Sequence, residues 1–142
     1  MNVKMIFAAM LILLAAVFLL VGCGENDNDG TVVISERFFV NELEEIVFNH
    51  ERYLGRTIQF EGLFKTVHLD NVDRHLVLRY RFDECCNEEM PIGLEVVMNE
   101  FQAFDADAWV EVIGTLELLD GFLVIQVTSI TELDERGQEL VS

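Results

Sequence analysis

From Gly55 onward the spacing of apolar residues changes from a helical period to alternation, and no second long helical pattern follows. Alternation places successive side chains on opposite faces of a strand, so most of this chain is committed to half-buried β structure. Five strands are predicted. The first runs from Thr57 to Val67, with Ile58, Phe60 and Phe64 and a bulge or bend at Gly62. The second runs from His75 to Phe82, where Leu76, Leu78, Tyr80 and Phe82 share one face opposite His75, Val77, Arg79 and Arg81. The third, Ile92 to Val97, is opened by Pro91, the chain's single proline. The fourth, Trp109 to Leu118, and the fifth, Phe122 to Ile130, are joined by Leu119-Asp120-Gly121, whose Asp-Gly pair is a hairpin signal. Met98 to Asp107 is a connector with room for a short helix at most.

Upstream of Gly55, Thr31 to Ile34 is a short β-branched run that suits an edge strand. Ser35 follows as an expected helix N-cap, with Glu36 in the first turn. Phe39, Leu43, Ile46 and Val47 then recur at the spacing of an amphipathic helix that ends near Asn49. One helix, five short strands and a connector between the third and fourth fit a mainly β fold: a five-stranded OB-type Greek-key barrel preceded by one amphipathic helix. An open antiparallel meander packed on the helix is the alternative.

The beginning of the chain reads differently. Lys4 is followed by an unbroken apolar stretch from Met5 to Val21 and then by Gly22 and Cys23, so that it closes on Leu20-Val21-Gly22-Cys23. That order matches an export signal, and its last four residues resemble the lipobox that precedes the lipidated cysteine of bacterial lipoproteins. Residues 1–22 are therefore expected to be a signal peptide and Cys23 the lipidation site. Gly24 to Gly30, with no apolar residue, forms the rest of a flexible tether of roughly 15 Å. Residues 31–142 make a single domain. An uncleaved anchor helix is the competing reading, because the run approaches the ~20 residues that cross a bilayer. Both readings place the domain outside the cytoplasm, on the cell membrane.

The whole chain carries a net charge of −17, and removal of residues 1–22, whose single charge is Lys4, leaves 120 residues at −18. Nucleic acid binding needs Lys or Arg to displace condensed counterions, so this balance argues for no nucleic acid partner. It also repels anionic headgroups and suits a solvated surface that keeps an anchored domain off the membrane.

The series Tyr53-Leu54-Gly55-Arg56-Thr57-Ile58-Gln59-Phe60-Glu61-Gly62, then Leu76-Val77-Leu78-Arg79-Tyr80, Cys85, Gly93-Leu94 and Asp107-Ala108-Trp109-Val110-Glu111-Val112-Ile113-Gly114-Thr115-Leu116, resembles the YcgQ-like family. The likeness runs from about Ile34 to Ile130. It implies an extracytoplasmic OB-fold-like domain and, because members tend to occur beside predicted permeases, a membrane-protein partner. Family members usually carry amino-terminal transmembrane helices; here a lipid is expected in their place.

Few residues suggest chemistry. Cys85 and Cys86, within Asp83-Glu84-Cys85-Cys86-Asn87-Glu88-Glu89, form the one dense group of potential ligands, and His68 or His75 would complete a metal site if the fold brought them close. A second Cys pair and a His-x3-His are lacking, so the spacing for structural zinc is weak. The residues favour a structural role, with one cysteine facing the core and the other water, or a vicinal disulfide; metal or redox chemistry is second. His50 suits a helix-terminal cap, and Trp109 suits the core. No Gly-rich phosphate loop or Gly-x-Ser-x-Gly occurs, and nothing selects one carboxylate pair among many. The expected function is a non-enzymatic binding or accessory module, without a cofactor, that assists a membrane partner such as a permease. The alternative is a metal-binding or thiol-redox lipoprotein that uses Cys85 and Cys86 with zinc or copper.

Overall fold

The structure, a computed structural model, describes residues 30–141. The expectations for the signal, for Cys23 and for the tether as far as Asp29 lie outside the described residues. The elements are β1 (Val32–Val33), α1 (Phe39–Phe48), a 3-10 turn (His50–Arg52), β2 (Thr57–Leu69), β3 (Val72–Asp83), β4 (Glu88–Val97), β5 (Trp109–Leu119), β6 (Phe122–Glu132) and β7 (Leu140–Val141).

Register closes the five long strands into a ring. β2 pairs antiparallel with β3 from Leu63↔Leu78 to Leu69↔Val72, and with β5 from Thr57↔Thr115 to Leu63↔Trp109, so β2 changes partner at Leu63. β3 pairs antiparallel with β4, β5 antiparallel with β6, and β4 joins β6 in parallel at Glu95↔Val124 to Val97↔Gln126. The ring β2-β3-β4-β6-β5 is the Greek-key order of an OB-type barrel. A meander would have paired β4 with β5. β1 adds in parallel to β2, and β7 in parallel to β3.

The hairpins follow from local chemistry. Asp70 and Asn71, like Asp120 and Gly121, all have positive φ, so two-residue turns join Leu69 to Val72 and Leu119 to Phe122. Turns of that hand match strand twist and need residues that tolerate the left-handed region. The register shift lies at Ile113/Gly114, opposite β6, and not at Gly62. Pro91 sits inside β4 opposite Tyr80, where β6 does not reach and a missing N–H costs no ladder bond.

The helix begins later than expected. Its N-cap is Phe38, without a side-chain cap, because the backbone N–H and hydroxyl of Ser35 both donate to Glu42 Oε2. α1 buries Phe39, Val40, Leu43 and Ile46, while Val47 is exposed. These join Ile58, Phe60, Phe64, Val77, Leu94, Val96, Val110, Val112, Leu116 and Ile125 in the main core. At about 1.5–3 kcal/mol for each fully buried large apolar side chain, this cluster is the principal stabilising contribution. A second cluster, Leu63, Leu78 and Trp109, lies on the other face of the same strands. The 98–108 connector contains no helix. It is held by the Phe64 N–H on Ala108 O, by Phe104 packed on Phe64, and by a Lys65–Asp107 ion pair. The hydrogen bond from Lys65 keeps the Asp107 carboxyl below its ordinary range, and Asp107 in turn pushes Lys65 up. Among the described residues, no helix is long and apolar enough to cross a membrane.

Candidate functional site

Among the described residues, three regions hold the polar or exposed groups that bear on the candidate residues. The first is the turn between β3 and β4. Neighbouring side chains on a strand diverge, but Glu84, Cys85, Cys86 and Asn87 form a four-residue turn closed by the Asp83↔Glu88 pair. The Cys85 N–H donates to Asp83 Oδ1 at 2.9 Å, and Asn87 takes φ +54° to return the chain to β4. Both thiols are free and exposed, which corrects the reading in which one of them faces the core. An Asp83 carboxylate oxygen, Cys85 Sγ and Cys86 Sγ all lie within 4.8 Å of one another.

The histidines do not join them. His68 faces Asp73 across the β2–β3 hairpin, with Nδ1 2.7 Å from Asp73 Oδ1. His75 lies 3.0 Å from the Thr66 hydroxyl and stacks between Phe64 and Phe101. His75 precedes Asp83 by eight positions on one strand, roughly 26 Å at the usual rise. The expectation that His68 or His75 completes a cysteine site is therefore wrong. His50 behaves as expected: its Nδ1 lies 3.2 Å from Val47 O, at the end of α1.

The second region is a cleft of about 700 Å³ whose lining includes Glu36, Gln59, Glu61, Arg79, Glu111 and Arg136. Arg79 is its innermost charge, 2% exposed, and alternation alone did not single it out among three arginines on β3. Its Nε donates to Glu61 O at 2.9 Å and Nη1 to Gln138 O at 3.1 Å, with Glu36 Oε1 3.5 Å away. The guanidinium carbon lies 4.6 Å from the Phe39 ring centroid and 4.9 Å from that of Trp109. Burial pushes the Arg79 pKa down and the Glu36 and Glu61 carboxylates pull it back up. A guanidinium remains protonated under these conditions, so the side chain is a fixed charge that ties α1, β2, β5 and the chain's last residues together.

The third region lies between hairpin tips. Arg74 sits over the Phe122 ring at 5.1 Å and pairs with Glu95 at 3.2 Å. Val72, Leu119 and Phe122 line a recess of about 140 Å³ with Asp73, Glu95 and Asp120 as its polar wall. Leu69, Val72, Leu119 and Phe122 are each more than half exposed. No periodicity rule marks such residues, because a strand that outruns its sheet still alternates.

Comparison with known proteins finds the DUF1980 C-terminal domain over residues 23–141, most of the chain. The chain belongs to the DUF1980 C-terminal domain family. No curated protein matches it. Among solved structures, this DUF1980 domain is similar to the small single-stranded DNA-binding protein from Streptomyces coelicolor, at 17% identity and TM-score 0.38, over 59% of this chain and 97% of that one. It is also similar to yeast Stn1 and Ten1, again at 17% identity and TM-score 0.38, over 82% of this chain and 69% of that one. The OB-type assignment stands on the strand order above. The exclusion of nucleic acid drawn from the acidic balance is not upheld. Net charge sums the whole surface, whereas a ligand meets one face, so nucleic acid belongs among the ligand classes to be tested on this DUF1980 barrel.

Proposed function

We propose that this DUF1980 domain is a non-enzymatic accessory module, tethered by a lipid at Cys23 to the outer face of the cell membrane, that binds a membrane-protein partner through its hairpin tips. The observation that carries this reading is the apolar recess of Val72, Leu119 and Phe122, since apolar residues gathered on an exposed, polar-rimmed surface mark interaction sites. OB-type barrels commonly bind ligands with the loops that correspond to these two tips, which supports the reading by analogy of fold. The resemblance to the YcgQ-like family supports a permease as the partner.

The interface is tested by placing a photo-crosslinking residue at Leu119 in cells. We expect a discrete membrane-protein adduct that Phe122→Asp reduces by about 10-fold, the loss expected when a buried aromatic anchor is worth 1–2 kcal/mol. Adducts that persist unchanged in Phe122→Asp would sink the interface. A labelled single strand that binds the purified chain and is released by the same substitution would assign the face to nucleic acid instead.

The anchor has its own test. The motif Leu20-Val21-Gly22-Cys23 and the family match that starts at Cys23 both support a mature chain beginning there. Mass spectrometry of the amino-terminal peptide from membranes should show Cys23 as the first residue carrying acyl chains; at least two are needed for stable attachment. An unmodified Cys23 still joined to Gly22 rules the anchor out.

A further inference from the structure

We propose that the β3–β4 turn is a zinc site, with Asp83, Cys85 and Cys86 as its three protein ligands and a fourth position open to water or an incoming donor. The proposal concerns the far end of β3 from the recess. Val72 and Asp83 are eleven positions apart, roughly 36 Å along the strand, so this site stands or falls independently of the partner surface.

The geometry is close to what the ion requires. Tetrahedral zinc bonds thiolate sulfur at about 2.3 Å and carboxylate oxygen at about 2.0–2.2 Å, which sets neighbouring ligand atoms roughly 3.5–3.8 Å apart. Here the three donor atoms already lie within 4.8 Å of one another. Closing by about an ångström is within the reach of a small side-chain rotation in an exposed turn. Asp83 is fixed at the end of β3 by its pairing with Glu88, and Oδ1 is used by the Cys85 N–H, which orients the carboxylate beside the two sulfurs.

The chemistry of the donors selects the class of ion. Two thiolates suit a thiophilic cation, while a carboxylate is a hard donor that Cu(I) does not favour, so a borderline dication such as Zn(II) fits the mixed set best. Both thiols are free and exposed, so the ion displaces no packing and breaks no disulfide on entering. Glu84, Glu88 and Glu89 surround the turn, and no Lys or Arg occurs between Phe82 and Met90. That local field raises the concentration of a dication at the tip. Three protein ligands with an open fourth position describe an exchangeable site, unlike the closed four-ligand sites that hold small folds together.

The test uses the full-length chain in detergent, reduced, stripped with chelator, and titrated with Zn(II) against a chromogenic competitor. We expect one zinc per chain, and with Co(II) in its place a thiolate-to-cobalt charge-transfer band. Cys85→Ser, Cys86→Ser and Asp83→Asn should each weaken zinc by at least about 100-fold, more than the loss of an outer-shell partner usually brings. Asn retains an acceptor for the Cys85 N–H, so Asp83→Asn removes the ligand without removing the turn. Zinc should also protect two thiols from alkylation; the double Cys85→Ser, Cys86→Ser chain gives the background, including that of unprocessed chain in which Cys23 carries no lipid. His68→Ala and His75→Ala should leave zinc unchanged. Circular dichroism is expected to be the same for all variants, because the turn lies outside the core. The site is overturned by absence of stoichiometric zinc, by equal zinc binding in the double variant, or by recovery of Cys85 and Cys86 joined as a disulfide from protein prepared without reductant.

Discussion

Arg79→Ala is expected to cost about 3–5 kcal/mol of folding stability, a large share of what a domain of this size possesses. The side chain is 2% exposed, lies within cation–π distance of the Phe39 and Trp109 rings, and satisfies the carbonyls of Glu61 and Gln138. Truncation leaves a cavity between two rings, and carbonyls without their donor at roughly 1–3 kcal/mol for a buried group. Arg79→Met fills the slot but donates nothing, so it should lose roughly half as much, and the difference separates packing from hydrogen bonding. Urea unfolding of the two variants and wild type decides the matter: the midpoint should fall with the slope unchanged. An alanine variant within about 1 kcal/mol of wild type would show that the cleft arginine is peripheral to the fold.

Gly93→Ala should be comparably damaging for a different reason. Gly93 faces Leu78 across the β3–β4 ladder, and a methyl group there would stand 2.2 Å from Val77 O and 2.6 Å from the Leu78 Cα. These are backbone atoms of a paired strand, so relief requires parting the ladder rather than turning a side chain. Overpacking usually costs about 1–3 kcal/mol, and a backbone clash belongs at or above the upper end. Gly30→Ala, where nothing lies within 4 Å, is the control and should stay within about 0.5 kcal/mol of wild type. Thermal melts of both variants are sufficient. Equal melting temperatures would mean that β3 and β4 approach less closely at this point than Gly93 implies.

The periodic parts of this fold were legible in the residues. The 3.6-residue repeat of Phe39, Leu43 and Ile46 gave the helix, and alternation after Gly55 gave five strands whose ends differ from the observed ones by a few residues. What alternation leaves open is which face is inside, and on β3 both are used: Val77 joins the main core, Leu78 the smaller cluster, and Arg79 lies against a ring of each. Nothing local distinguishes Arg79 from Arg74 and Arg81. Its burial depends on Phe39 and Gln138, which are distant in the chain. The helix start was missed because Glu42 draws Ser35 away from a capping position. The cysteines were found by composition, yet their convergence with Asp83 depends on a turn in which Asn87 adopts a left-handed conformation, and composition does not report that. The same holds for His68 and His75, which would have completed a site with the cysteines had the fold brought them close, and which lie a strand's length away in space.

The contacts of Arg79 also set an order of events. Glu36 receives the backbone N–H of Gln138, a residue 102 positions later, and both meet at the guanidinium. A polypeptide that emerges amino terminus first therefore holds this charge without its last acceptor until Gln138 has been made. Joining residues so far apart is slow relative to forming the hairpins, so this contact closes after the strands of the ring have paired, and a chain cut before Gln138 would be left with an open seam beside Arg79.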